Sequence, residues 1–361
     1  MRHMRRALRL AERGRGRVSP NPVVGAVVVK DGRVVGEGWH RALGEPHAEA
    51  MALAHAGARA RGATMVVTLE PCAHRGRTPP CVDALVAAGI RRVVVATRDP
   101  HRIVDGRGLR ALRAAGVAVE VGLLADEARA ALGGYWLTHT RGRPRVTLKL
   151  AASLDGRIAP PGGFTRSGAG RWLTGPAARK HAHRMRSEAD AVVIGSGTAR
   201  ADDPRLTARG FKSPRQPLRV VCDTSLTLPL TLKLFGRRLA SGTVVACATD
   251  APRARERALA ARGVGVWRLP RTADGVSPAA LVTRLAREGR HEVMVEGGGV
   301  LACACLRAGV VDRIAMFTAP RLLGQGGLSW CGPLKRPLTL GRVVEHRRIG
   351  PDLFAMIETG G

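Results

Sequence analysis

The sequence predicts an α/β protein of two domains, and three observations carry this. The chain has 361 residues, room for two domains of ordinary size, and 45% of them are hydrophobic, enough for real cores. Short β-branched runs alternate with helix-length segments along the chain. Arg141-Gly142-Arg143-Pro144 brings a glycine, a proline and charge together. A linker is expected there, dividing the chain into domains at 1–143 and 144–361.

Residues 2–13 are expected to form a short amphipathic helix with Met4, Leu8 and Ala11 on one face. Ser19-Pro20-Asn21-Pro22 is a turn cluster. Residues 23–30 read as a strand, Asp31-Gly32 as a hairpin turn and 33–39 as the partner strand. A helix opens at His47 and runs to a C-cap at Gly62. A buried strand at 64–69 delivers Glu70-Pro71-Cys72 to a loop, and Thr78-Pro79-Pro80 starts the next helix, proline being tolerated in a first turn. A strand at 92–96 and a helix at 108–115 complete an alternating series, read as a three-layer α/β/α sandwich. In the second domain, strands are expected at 145–150, 191–195, 218–222, 243–248, 291–295 and 313–318. Helices are expected at 175–187, 251–262, 277–288 and 300–308.

The densest chemistry lies between Glu45 and Cys81. His47, Cys72 and Cys81 offer an imidazole and two thiols, three protein ligands for Zn²⁺. A fourth tetrahedral position is left for water, as in catalytic rather than closed structural sites. Such a metal lowers the water's pKa to about 7. Glu49, two residues after His47, suits a carboxylate beside that water rather than on the metal, and reads as the proton shuttle. Cys81 falls near a helix N-terminus, whose dipole favours a thiolate. The order of residues matches the zinc deaminases, except that eight residues rather than two separate the cysteines. The alternative is a core histidine and two unrelated buried thiols.

Two stretches of the second domain also suit a ligand. In Glu296-Gly297-Gly298-Gly299 the glycines allow close backbone approach, and the helix that follows attracts phosphate at its N-terminus. A simple tight turn remains the alternative. From Gly195 through Asp202-Asp203-Pro204 to Arg209, adjacent carboxylates, hydroxyls and arginines follow the C-terminal end of a strand. A solvated loop capped by Asp and Thr fits as well.

The net charge is +31, which raises the question of nucleic acid. The arginines are dispersed rather than blocked into a tail, and aromatics are 3% with one tyrosine, so stacking platforms are scarce. No nucleic-acid partner is expected. Nothing approaches 18 consecutive apolar residues, so no membrane span is expected. The basic N-terminus lacks the apolar core of a signal peptide. Seven cysteines, an odd number, fit a reducing cytoplasm, with two on metal and Cys222, Cys247, Cys303, Cys305 and Cys331 free.

The chain resembles the bifunctional riboflavin-biosynthesis deaminase–reductase family over nearly all its length. The first half carries Pro20-Asn21-Pro22-Val23-Val24-Gly25, Gly44-Glu45-Pro46-His47-Ala48-Glu49, Thr68-Leu69-Glu70-Pro71-Cys72 and Gly76-Arg77-Thr78-Pro79-Pro80-Cys81. The second carries Lys149-Leu150-Ala151-Ala152-Ser153-Leu154-Asp155-Gly156, Trp172-Leu173-Thr174, Gly197-Thr198, Ala201-Asp202-Asp203-Pro204 and the run at 296–299. The resemblance implies a cytidine-deaminase-like sandwich followed by a dihydrofolate-reductase-like α/β domain. It implies zinc-dependent deamination of 2,5-diamino-6-(5-phosphoribosylamino)pyrimidin-4-one, then NADPH-dependent reduction of the ribosyl to the ribityl chain. The product would be 5-amino-6-(5-phosphoribitylamino)uracil.

By the same resemblance Asn21, His40 and His74 contact the pyrimidine beside the catalytic Glu49. Ala152, Trp172, Thr198, Asp202, Thr224, Gly298 and Gly299 match NADPH contacts. Arg186, Leu206, Arg209 and Glu296 match substrate contacts, the arginines as bidentate phosphate donors. Asp202 is also the candidate proton donor of the reductase step. A homo-oligomer is implied. The sequence departs from the family at His101 (for an asparagine after Asp99-Pro100), at Arg75 (for Lys or His), at Gly170 (for serine), at Thr224 (for serine), and in an insertion at 160–167.

Overall fold

The computed structural model describes residues 1–74, 79–164, 172–210, 215–332 and 338–360. The chain forms two compact units, Met1–Arg143 and Pro144–Gly361.

The first unit runs α1 (Arg2–Ala11), β1 (Gly25–Lys30), β2 (Arg33–Trp39), α2 (Ala48–Ala56), β3 (Thr64–Leu69), α3 (Cys81–Ala87), β4 (Arg92–Thr97), α4 (Arg107–Ala114), β5 (Ala118–Val121), α5 (Ala125–Leu132) and α6 (Gly134–Arg141). Its sheet has the order β2-β1-β3-β4-β5. β1 is antiparallel to β2 and β3, whereas β3, β4 and β5 run parallel. Side chains alternate across the pleat. Val27, Val66 and Val94 pack on Met4, Ala7 and Leu10 of α1 and Ala128 of α5. Val28, Met65, Val67, Val93 and Val95 pack on the opposite face, under Ala48, Ala52 and Ala56 of α2 with Val82, Leu85, Leu109 and Leu112 of α3 and α4. The result is a three-layer sandwich.

Two glycines set how close α2 lies. A Cβ on Gly36 would sit 2.3 Å from the Ala52 carbonyl oxygen, and one on Gly38 2.2 Å from that of Ala48. Only glycine lets the helix rest on β2 at this depth, and that contact fixes where His47, its N-cap, is held. The helix is shorter than its sequence suggests. It ends at Ala56 because Gly57 turns to φ 56, and the expected cap, Gly62, instead follows a 3₁₀ turn over Gly57–Ala60. The first helix likewise gives way to a 3₁₀ turn at Glu12. β5 is four residues long and mostly exposed, so it carried little alternation to read.

The second unit runs β6 (Arg145–Ser153), β7 (Arg157–Ala159), α7 (Pro176–Glu188), β8 (Ala191–Gly195), α8 (Ser196–Asp202), β9 (Leu218–Cys222), β10 (Thr243–Ala248), α9 (Arg253–Ala260), β11 (Gly265–Leu269), β12 (Arg271–Thr272), β13 (Gly275–Val276), α10 (Pro278–Arg287), β14 (Glu292–Glu296), α11 (Gly299–Arg307), β15 (Arg313–Ala319), β16 (Leu328–Ser329), β17 (Arg342–Ile349) and β18 (Asp352–Glu358). The main sheet is nine-stranded, in the order β11-β10-β9-β8-β14-β6-β15-β18-β17. Its strands are parallel from β11 to β15, and the β17–β18 hairpin closes one edge antiparallel. Val146, Leu148, Val193, Val220, Val293 and Val295 face α10 and α11. Val192, Ile194, Val221, Val245 and Met294 face the other way, toward Ala199, Leu259 and Phe235.

Several elements were not expected, among them β11 and β18 of the main sheet and the short β7, β12, β13 and β16. The stretch after β8 is helical over Ser196–Asp202 rather than a loop. The hairpin strand β17 is exposed along almost its whole length, so no apolar period marked it. The parallel strands end together: Glu296 pairs with Lys149 and Gly195 with Cys222. The segments that follow them therefore share one edge of the sheet, where open α/β sheets hold ligands.

Candidate active sites

In the first unit the metal-ligating types converge. Ligand atoms of His47, Cys72 and Cys81 all lie within 4.8 Å of one another. His47 Nδ1 is 3.3 Å from Cys81 Sγ and 3.6 Å from Cys72 Sγ. A zinc tetrahedron with Zn–N and Zn–S near 2.05 and 2.3 Å has N···S edges of about 3.6 Å, so this donor set fits Zn²⁺ without rearrangement. Local structure explains the convergence: His47 caps α2, Cys81 is the first residue of α3, and Cys72 follows the end of β3. The Cys72 thiol is drawn down to about 4, first by the Cys81 side chain bonded to it, and Cys81 moves up because of that same bond. The pair thus keeps one proton between two sulfurs, a position a cation can take.

Glu49 lies in the first turn of α2 and is 3% exposed. Burial pushes its carboxyl up to about 7, against the opposing pull of His47. His40, buried by the metal ligands, stands edge-on to His47 with ring centroids 5.4 Å apart. Its Nδ1 is 3.2 Å from the Pro46 carbonyl, which makes that nitrogen the N–H donor. Nε2 is left to accept from the Asn21 amide at 3.2 Å. Burial lowers the His40 pKa, which keeps the ring neutral. Asn21, His40, His47 and Glu49 are therefore brought together. His74 is exposed, near enough to Asp99 and His101 to act on both. Arg75 lies outside the described residues.

Two features of this unit had escaped the sequence reading. Glu70 is buried and accepts backbone N–H bonds from Asp99, Gly106, Gly108 and Leu109 at 2.9–3.3 Å. It ties the start of α4 to the loop carrying Cys72, and Gly108 lies so close that a Cβ there would stand 1.9 Å from the Pro71 carbonyl oxygen. Asp99, raised to about 6 by burial, accepts from the Tyr135 hydroxyl at 3.0 Å and the His101 N–H at 2.8 Å. His101, where the family has asparagine, packs edge-on against His139 at 4.4 Å. A glutamate beside a cysteine motif gives no sign of four distant N–H partners.

In the second unit Arg186 of α7 and Glu296 at the end of β14 form a bidentate ion pair, at 2.5 and 2.8 Å, with side chains 15% and 8% exposed. Arg186 also donates to the Thr207 carbonyl, while Arg209 bonds the Thr207 hydroxyl at 3.1 Å and His183 Nε2 at 3.3 Å. Burial and the nearby Arg186 and Arg205 push the Arg209 pKa down. Leu206 is buried at φ 50 between these groups in sequence. Thr198 Oγ1 accepts from the Gly298 N–H at 3.0 Å, joining α8 to the start of α11. Gly297 has φ 103, and a Cβ there would lie 2.5 Å from that hydroxyl, so the glycine run is a built contact as well as a turn.

Other expected cofactor positions are not drawn into this cluster by the contacts present. Ala152 is buried in β6. Trp172 is exposed, with the Arg179 guanidinium 4.9 Å over its ring. Thr224 accepts from the Val276 N–H at 3.2 Å. Gly170 and part of the 160–167 insertion lie outside the described residues. Asp202 is exposed and acts on Lys149. Lys149 itself was overlooked as a site residue. It sits within reach of Glu296, Arg186 and Asp202, and burial lowers its pKa. Its signal was a lone lysine in an apolar strand.

Known proteins agree with these two units. Residues 1–97 match the family described as the cytidine and deoxycytidylate deaminase zinc-binding region, and residues 144–355 match the RibD C-terminal domain. The riboflavin biosynthesis protein RibD of Aquifex aeolicus is 42% identical over 90% of this chain and 88% of its own. That of Escherichia coli is 39% identical over 97% of both chains. The structure of Acinetobacter baumannii RibD superposes with a TM-score of 0.87 at 35% identity, covering 100% of this chain and 98% of that one. The diaminohydroxyphosphoribosylaminopyrimidine deaminase/5-amino-6-(5-phosphoribosylamino)uracil reductase of Thermotoga maritima gives a TM-score of 0.84 at 33% identity, over 99% and 98%.

Proposed function

The chain belongs to the RibD family of bifunctional riboflavin-biosynthesis enzymes, a zinc deaminase and an NADPH-dependent reductase in one polypeptide, and from that premise we propose which residues carry each step. The observation that carries the proposal is the cluster of His47, Cys72 and Cys81 beside a buried glutamate.

The substrate of the first unit is 2,5-diamino-6-(5-phosphoribosylamino)pyrimidin-4-one. His47, Cys72 and Cys81 would hold zinc, which would supply a Lewis acid and acidify a water. Glu49 would carry the protons, as base and then as acid toward the departing amine nitrogen. Its place in the first turn of α2, two residues after His47 and shielded from solvent, suits a carboxylate that shuttles protons. His40, held neutral and fixed by the Pro46 carbonyl, orients the Asn21 amide, whose carbonyl oxygen is left to accept from the pyrimidine. His74 is a further pyrimidine contact by the resemblance.

In the second unit NADPH supplies hydride. Thr198, Gly298 and Gly299 would form its cradle, as the Gly298-to-Thr198 bond supports, and the resemblance adds Ala152, Trp172, Asp202 and Thr224. Arg209 and Arg186 bind the substrate phosphate and Glu296 fixes Arg186, as their bidentate pair supports. Lys149, lying near Asp202 and Glu296 with a lowered pKa, gives the proton as the sugar chain is reduced. This replaces Asp202 as donor, since Asp202 is exposed. A reducing cytoplasm follows from the cysteine usage, and a homo-oligomer from the resemblance. Among the described residues no helix is long and apolar enough to cross a membrane.

The test is to incubate zinc-loaded protein with this pyrimidine, with and without NADPH, and follow products by mass. Exchange of an amine for oxygen without NADPH, then a gain of two hydrogens with it, is expected. No ammonia release, with Glu49→Ala equal to wild type, would contradict the assignment.

A further inference from the structure

Cys303 and Cys331 belong to neither set of proposed catalytic groups, yet their sulfurs are 3.5 Å apart across 28 residues of sequence. Cys303 is buried one turn into α11, and Cys331, half-buried, follows β16. The second segment is firmly seated. The Gly332 N–H donates to Cys303 Sγ at 3.1 Å, and Ser329 Oγ both donates to the Cys331 carbonyl and accepts from its N–H, at 2.6 and 3.2 Å. A Cβ on Gly299 would meet the Ser329 carbonyl oxygen at 2.7 Å, so this segment already touches the first turn of α11. That turn presents the Gly298 N–H to Thr198. Arg307, one turn beyond Cys303, interacts with both sulfurs.

We propose that Cys303 and Cys331 are a modification site, a dithiol that closes to a reversible disulfide and thereby weakens NADPH binding at the start of α11. The second clause rests on the cofactor reading given above. The oxidant is a small-molecule disulfide of the glutathione class. The Cys331 thiolate attacks one of its sulfurs and releases one thiolate. The Cys303 thiolate then attacks the Cys331 sulfur of the mixed disulfide and releases the second. The protein gives up two protons and two electrons, and the oxidant becomes two thiols. Burial and the Cys303 side chain push the Cys331 thiol up to about 11, so at neutral pH the reduced pair stands mostly as thiols and the attacking thiolate is the minor form. Closing the sulfurs to about 2.05 Å draws the Ser329–Cys331 segment toward α11. Gly299 leaves no slack there, so the helix's first turn must shift and the bond from Gly298 to Thr198 is disturbed.

The zinc-loaded protein is treated with oxidised glutathione, then alkylated and mapped by peptide mass, with NADPH titrated by fluorescence and deamination assayed in parallel. A Cys303–Cys331 peptide lighter by two hydrogens is expected, with the NADPH Kd raised about tenfold, deamination unchanged, and both changes reversed by a dithiol. Cys331→Ser and Cys331→Ala should bind NADPH like the reduced wild type and ignore the oxidant. Absence of the cross-linked peptide, or its presence with an unchanged Kd, overturns the proposal. A reduced protein that binds no NADPH would instead remove the cofactor reading, and the control claimed here with it, while the peptide map still decides whether the bond forms.

Discussion

The two sites differ in how far their parts lie apart in the chain. His47, Cys72 and Cys81 span 34 residues and sit at a helix cap, a strand end and a helix start. The Arg186–Glu296 pair spans 110 residues and is joined only by the folded sheet. The first site was legible as a motif because local structure presents each group. In the second, each residue taken alone had an ordinary structural explanation, and the shared edge of the parallel strands gives them a common purpose.

Substitutions can break this contrast. The largest effect is expected for Glu49→Gln, which should slow deamination about 10²–10⁴-fold while zinc content, measured by atomic emission, stays at wild type. Loss of the metal would instead make Glu49 a structural support for the site. Next is Glu296→Ala. It strands the buried Arg186 guanidinium and should cost about 3–5 kcal/mol, read in calorimetry as a lower melting midpoint for the second unit alone. A midpoint unchanged in both units would show the pair to be solvated.

A pH series sharpens the comparison through Glu49. Its folded pKa, about 7, lies above the ordinary 4.5 because of burial. Between those values the unfolded chain has lost the proton that the folded chain keeps. The Glu49 contribution to the stability of the metal-free first unit should therefore fall as pH rises from about 4.5 to 7, by about 3 kcal/mol, and then level off. Denaturant melts of metal-free wild type against Glu49→Gln, which should lack the Glu49 part of the slope while keeping that of Asp99, check this. The smallest effect is expected for Thr198→Val, which removes the acceptor of the Gly298 N–H. About 1 kcal/mol, or roughly a fivefold weaker NADPH Kd, is expected by titration, with deamination untouched.

The alternation of strands and helices was readable because both units bury regular apolar faces, as Val27, Val66 and Val94 do against α1. Readability failed where burial failed, at β5 and β17, and where a helix lacked a long apolar stripe, at α8. The zinc group and Glu49 were legible from residue type and spacing. Asn21 and His40 needed the resemblance, and the structure adds why they belong together, through Pro46 and the His40 ring. Glu70 and Lys149 were missed because their partners come from other strands and loops, which no local pattern encodes.

The measurement that tests the account most directly is complementation between two single variants. Glu49→Gln should form the first product about 10²–10⁴-fold more slowly but reduce supplied intermediate at the wild-type rate. Lys149→Met should deaminate normally and stall. An equimolar mixture of the two proteins with substrate and NADPH should yield the fully deaminated and reduced product by mass. If the mixture stalls, or if either variant alone loses both steps, the assignment of separate residues to separate reactions is contradicted.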